Sequence, residues 1–134
     1  MSAGLSSSEL VTKAEAILDA AHEKEKPKGK KSKLWGQTAQ LRNLVQITQS
    51  ESEVPVLRNF IRYQQGRRST RDFWGLIGGE VIGVLEEVGD ATPGDDVARS
   101  WAIRNFFGYL VRHYVYLNET QRPRDDSDSS GRPA

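Results

Sequence analysis

The residues best suited to chemistry in this 134-residue chain are its arginines, and the chemistry they suit is neutralisation of phosphate. Arg58, Arg62, Arg67, Arg68 and Arg71 fall within residues 54–71, which hold no acid and carry a net charge of +5. On a helix, Arg58, Arg62 and Gln65 stand at i, i+4 and i+7 and share a face. Arg67, Arg68 and Arg71 follow at its C-terminal end. A guanidinium forks onto two phosphate oxygens and keeps its proton at any working pH. One or two terminal arginines would merely complement a helix dipole, at about 0.3–1 kcal/mol each. Five without an intervening acid ask for another partner. Six lysines within residues 24–33, against Glu25 alone, make a second block of net +5. Of these, Lys30, Lys31 and Lys33 lie next to Trp35 as a cationic arm, and Arg42 follows on the next element.

Other chemistries are poorly provided for. Cysteine is absent, which excludes a disulfide framework, a thiolate zinc site and a cysteine nucleophile. His22 and His113 are the only imidazoles, so a multi-histidine metal site is excluded, and neither belongs to a recognisable triad pattern. No glycine-rich loop places a lysine for phosphate cradling. The segment GDATPGDD holds Asp90, Asp95 and Asp96 but not the residue order of a calcium loop. Asp95 or Asp96 is expected as a helix N-cap instead. His113, between Arg112 and Tyr114, is expected at the edge of the core. The reading is a protein without catalytic residues, metal or cofactor.

The whole chain nets only +1 because residues 72–96 hold seven acids and no base. Such segregation makes a dipolar surface, and a polyanion responds to the local field more than to the total. Residues 1–10 carry neither a basic n-region nor an apolar run, and the apolar stretch Phe73–Leu85 is short for a bilayer and includes Glu80. A cytoplasmic protein with no membrane partner is expected.

Helices must position these groups. Ser6 with Glu9 fits a capping box opening a helix over about 7–22, with Leu10, Ala14, Ile17, Leu18 and Ala21 on one face. Residues 24–33, with Pro27 and Gly29, read as a solvated basic linker. Thr38 suits the cap of a helix to about 49, carrying Leu41, Leu44, Val45 and Ile47. Pro55 suits the first turn of a third helix to about 68, with Leu57, Phe60, Ile61 and Tyr63. Ser69 and Asp72 form a capping-box-like pair before Phe73. A last helix, about 95–117, places Val97, Trp101, Phe106, Leu110, Tyr114 and Leu117 together, broadened by Ile103 and Phe107. All eleven aromatics lie between Trp35 and Tyr116, which assigns the core to that span. Residues 73–88 could be a hairpin turning at Gly78-Gly79, but Gly75, Gly79 and Gly83 recur every four residues. On a helix they make a groove for close packing, which would offset a cost of about 0.5–1 kcal/mol per glycine.

The fold expected is all-α: a compact bundle of about five helices with a disordered C-terminal tail. Its regions are an N-terminal helix with basic linker (1–33), a helical core (34–118) and a disordered tail (119–134) whose composition builds no core.

The stretches QTAQLRNLV (37–45), LRNFIRYQQGRR (57–68) and WAIRNFFGYLVRHYVYL (101–117) resemble the small subunit of type III-A (Csm) CRISPR effector complexes. That family shows a Thr/Ser-x-Gln-Leu/Ile-Arg start, matched by Thr38, Gln40, Leu41 and Arg42. Its helix ending in Tyr-x-x-x-Arg is matched by Tyr63 and Arg67. Its aromatic C-terminal helix with a Tyr-His-like element is matched by Phe106, Phe107, Tyr109, His113 and Tyr114. The likeness covers about residues 34–117; the glycine-rich segment and the acidic tail depart from it. It implies a non-catalytic, all-helical subunit of an antiviral-defence complex, present in more than one copy. Such copies contact the backbones of guide RNA and target RNA, each other and the other subunits, which perform the cleavage and nucleotide cyclisation.

The candidate RNA-binding residues are therefore Arg42, Arg58, Arg62, Arg67 and Arg68, with Lys30, Lys31 and Lys33 auxiliary. Duplex RNA presents phosphates and 2′-hydroxyls, so binding by shape needs no base readout. The alternative is a helical interaction or dimerisation module without nucleic acid, its basic block facing the acidic 72–96 segment of a second copy.

Overall fold

The pair Ser6 and Glu9 opens the first helix as its spacing predicts. The Glu9 N–H donates to Ser6 Oγ at 3.1 Å, and the Ser6 N–H donates to Glu9 Oε1 at 2.9 Å. In the computed structural model, which describes residues 5–123, five α-helices follow one another. They are α1 (Ser7–Glu25), α2 (Thr38–Thr48), α3 (Val54–Gly66), α4 (Arg71–Ala91) and α5 (Asp96–Thr120). A 3-10 turn over Lys26–Lys31 links α1 to α2, and no strand occurs among the described residues. The all-α bundle is the fold. Of the tail predicted from residue 119, Glu119 and Thr120 belong to α5, and residues 124–134 lie outside the described part.

Helix α5 lies between α1 and α2, while α4 packs against α3 and α1 and touches α5. The neighbours in sequence α2 and α3 do not pack on each other. Phe73, Trp74, Phe106, Phe107 and Tyr114 are fully buried, with Phe73 edge-on to both Trp74 (5.4 Å) and Tyr114 (5.8 Å). Leu10, Ala14, Ile17, Leu18 and Ala21 of α1 are buried in the same core, so the core is not confined to the aromatic span. An apolar face at helical spacing seeks burial whether or not it holds a ring, each large side chain contributing about 1.5–3 kcal/mol.

Local expectations fare unevenly. Pro55 sits in the first turn of α3, and Asp95 caps α5 by accepting from the Ala98 N–H at 3.0 Å. Residues 73–88 are helical throughout, not a hairpin. Thr38, however, is already inside α2, and the Gln37 N–H is taken up by the Tyr114 hydroxyl at 2.9 Å. Thr70 rather than Ser69 precedes α4, and its hydroxyl donates to the Gln64 carbonyl at 2.8 Å instead of capping. Val97 and Trp101 are exposed by 82% and 45%, not buried with Phe106. Five residues from Trp101 to Phe106 turn a helix by about 140°, which carries the two outward.

The glycine groove is also misplaced. A Cβ at Gly75, Gly79 or Gly83 would meet nothing within 4 Å. The close approach is at Gly78, where a Cβ would lie 2.6 Å from Gln65 Nε2.

The expected solvated linker is only half so. Its lysines are exposed, but Glu25 and Ser32 are buried and joined at 2.8 Å, and Ser32 Oγ accepts from the Leu34 N–H at 3.1 Å. The Tyr114 hydroxyl donates to the Leu34 carbonyl, and the Gly36 N–H donates to Asn118 Oδ1 at 3.0 Å. These bonds fix the crossing from α1 to α2 against the C-terminal half of α5. Burial raises the Tyr114 phenol above its ordinary pKa, which keeps it a donor.

Candidate nucleic-acid interface

The third helix rises from Pro55 and buries Leu57, Ile61 and Gln64 against α4, which turns its remaining faces toward solvent. The predicted row of Arg58, Arg62 and Gln65 does not survive as one surface. Arg58 Nη1 lies 3.2 Å from Glu86 Oε2 of α4, because the antiparallel packing brings the acidic end of α4 alongside the start of α3. Gln65 leans over Gly78 and donates to the Trp74 carbonyl at 3.4 Å. Arg58 is therefore partly neutralised within the molecule.

The other arginines of that block remain free. Arg62, Arg67, Arg68 and Arg71 are exposed and form no ion pair among the described residues. They occupy the last turns of α3, the connection and the first residue of α4. The turn itself is firm: the Arg67 N–H donates to the Tyr63 carbonyl at 3.0 Å, and the Arg71 N–H to the Arg67 carbonyl at 2.8 Å. Tyr63, 59% exposed, stands among them. Arg71 at the start of α4 faces a positive dipole end, an unfavourable placement that Asp72 partly relieves.

The remaining candidates lie elsewhere. Arg42, exposed on α2, lines a groove of about 620 Å³ between α2 and α5, with Arg112 also in its lining. It does not join the α3 cluster, since α2 and α3 do not pack together. Lys30, Lys31 and Lys33 are exposed on and after the 3-10 turn. On the same turn, Lys28 lies 3.1 Å from Glu25, and Lys26 pairs with Glu23. Burial pushes the Glu25 carboxyl up, but its bonds from Ser32 and Lys28 prevail and hold it below its ordinary pKa.

Tyr109, Arg112 and Tyr116, which stand at i, i+3 and i+7 on α5, are not among the candidate residues of the sequence. That spacing was available, but the aromatic residues of α5 were read together as core. Tyr114 alone of its three tyrosines is buried.

His113 Nε2 lies 2.7 Å from Asp19 Oδ1, and His113 Nδ1 lies 3.9 Å from Glu15 Oε2, so the imidazole ties α5 to α1. Asp95 is occupied as a cap, and Asp96 meets Arg99 Nη2 at 2.6 Å. Among the described residues no group of His, Asp and Glu is arranged to hold a metal ion, and no helix is long and apolar enough to cross a membrane. Comparison with known proteins finds no matching family, no matching curated protein and no matching solved structure.

Proposed function

We propose that this chain is the small, non-catalytic subunit of a type III-A CRISPR effector complex, working in the cytoplasm with guide RNA, target RNA, partner subunits and further copies of itself. Its task is to neutralise RNA phosphates through a basic surface without reading sequence. One observation carries the reading: Arg62, Arg67 and Arg68 stand exposed together with no carboxylate partner among the described residues. Arg42, Lys31 and Lys33 extend the basic surface, and Arg58 contributes less because Glu86 already holds it. The family reading is supported by the resemblance of the motifs at Thr38–Arg42, at Tyr63 and Arg67, and at Phe106, Phe107, Tyr109, His113 and Tyr114.

The test is RNA affinity against salt concentration. For single strands, log K falls with log salt by about 0.7 per phosphate neutralised. Replacing Arg62, Arg67 and Arg68 together by alanine should reduce that slope by about 2 and weaken binding at low salt. An unchanged slope and affinity would remove these residues from the interface. Salt-sensitive self-association by a chain that binds no RNA would favour the interaction module instead.

A further inference from the structure

The outer side of α5 is built differently from its inner side. Tyr109, Arg112 and Tyr116 share one stripe on it. The Arg112 guanidinium carbon lies 5.8 Å from the Tyr109 ring centroid, and the Tyr116 ring, 55% exposed, stacks on His113 with centroids 5.8 Å apart and planes 23° from parallel. Neither tyrosine hydroxyl has a hydrogen bond with a described residue, unlike that of Tyr114. A cleft of about 470 Å³ opens between these rings and α1, with Glu15 on its far wall. On the other side of Arg112 lies the α2–α5 groove, lined by Arg42 and Gly108 among others.

We propose that this stripe is a second RNA subsite, one that stacks unpaired nucleobases on Tyr116 and Tyr109 while Arg112 and Arg42 hold the adjoining phosphates. The inference rests on the RNA-binding reading above and adds a strand preference to it. The charges set the direction. Glu15 repels phosphate from the tyrosine cleft, so the sugar–phosphate chain follows the arginine groove and the bases turn toward the rings. A base inside a duplex is already stacked on its neighbours and cannot use such a platform, whereas an unpaired base gains from any aromatic face. The α3 cluster, made of charge alone, has no such preference.

Fluorescence anisotropy of the full chain with a fluorescein-labelled single strand of about a dozen nucleotides, free or annealed to its complement, separates the two subsites. Tyr116→Ala should weaken the single-strand complex by about 5- to 100-fold with the salt slope unchanged, since stacking releases no counterion. Duplex affinity should stay within about twofold, and Tyr116→Trp should bind the single strand at least as well as the parent. An alanine variant that binds the single strand like the parent, or loses both forms equally, overturns the stacking subsite and leaves the phosphate reading intact. A parent chain that binds neither form removes both.

Discussion

Helices α3 and α4 lie side by side, and their two ends treat arginine in opposite ways. Where α3 begins, Arg58 meets Glu86, and Arg99 from α5 donates to the Ser52 carbonyl (2.9 Å), Glu53 (2.6 Å) and Asp96 (2.6 Å). The Arg99 side chain is only 12% exposed, and its bond to Asp96 raises its pKa further. Where α3 ends, Arg62, Arg67, Arg68 and Arg71 have no such partners among the described residues. One end uses guanidinium groups as joints; the other leaves them exposed and without an ion pair among the described residues. The residue type is the same, so the carboxylates and carbonyls that the fold delivers decide the role.

Arg99→Ala gives the largest effect expected of this contrast. Two bonds that tie α5 to the α2–α3 connection, and one to Asp96 within α5, would vanish and leave the Ser52 carbonyl short of a donor. The loss should be about 1.5–3 kcal/mol in urea unfolding, moderated because Glu53 and Asp96 are themselves exposed. Arg99→Lys should recover only part, since an ammonium lacks the fork. A loss below about 0.5 kcal/mol would mean that this end is held by its apolar contacts alone.

Glu25 sharpens the contrast from the acid side, because it turns a lysine-rich turn into a joint. Its folded-state pKa is depressed below the ordinary value of 4.5, so its contribution is complete above that value and is lost as pH falls through the lower folded one. Losing the charged hydrogen bonds in Glu25→Gln should cost about 1 kcal/mol near pH 7, and the gap from the parent should close as the pH falls through the depressed folded-state pKa. A gap of constant size across that range would assign the effect to shape rather than charge.

Much of the scaffold was legible because its signals are local. Ser6 with Glu9, Pro55, Asp95 and the apolar spacing of α1 each depend on residues a turn or two away. What was not legible came from partners far along the chain. Glu86 reaches Arg58 from 28 residues away, and Gln65 fills the space over Gly78, a glycine not singled out by the four-residue repeat. The lysine block showed its charge but not its anchor, since a buried Glu25–Ser32 pair cannot be told from a solvated one by composition. The arginine cluster at the end of α3 was visible as charge; which members the fold would neutralise was not. The stripe on α5 was hidden by its own helix, whose buried and exposed aromatics interleave in sequence.

The smallest effect tests the comparison most directly, on two arginines one helical turn apart. Arg58 is about a third exposed and bonded to a half-exposed Glu86, a setting in which an ion pair contributes about 0.2–1 kcal/mol. Arg62 is exposed with no acid beside it among the described residues. Arg58→Ala should then lower stability by up to about 1 kcal/mol at low salt, and that loss should fade as salt screens the pair. Arg62→Ala should change stability by less than about 0.5 kcal/mol, with a slight gain at low salt from relief of repulsion. RNA affinity should rank the two in reverse, Arg62→Ala losing more, because a guanidinium already held by a carboxylate releases less on meeting phosphate. If Arg58→Ala weakened RNA binding more than Arg62→Ala while leaving stability untouched, Glu86 would be a mere surface neighbour of Arg58 rather than a partner. The division of labour between the two ends of α3 would then fail.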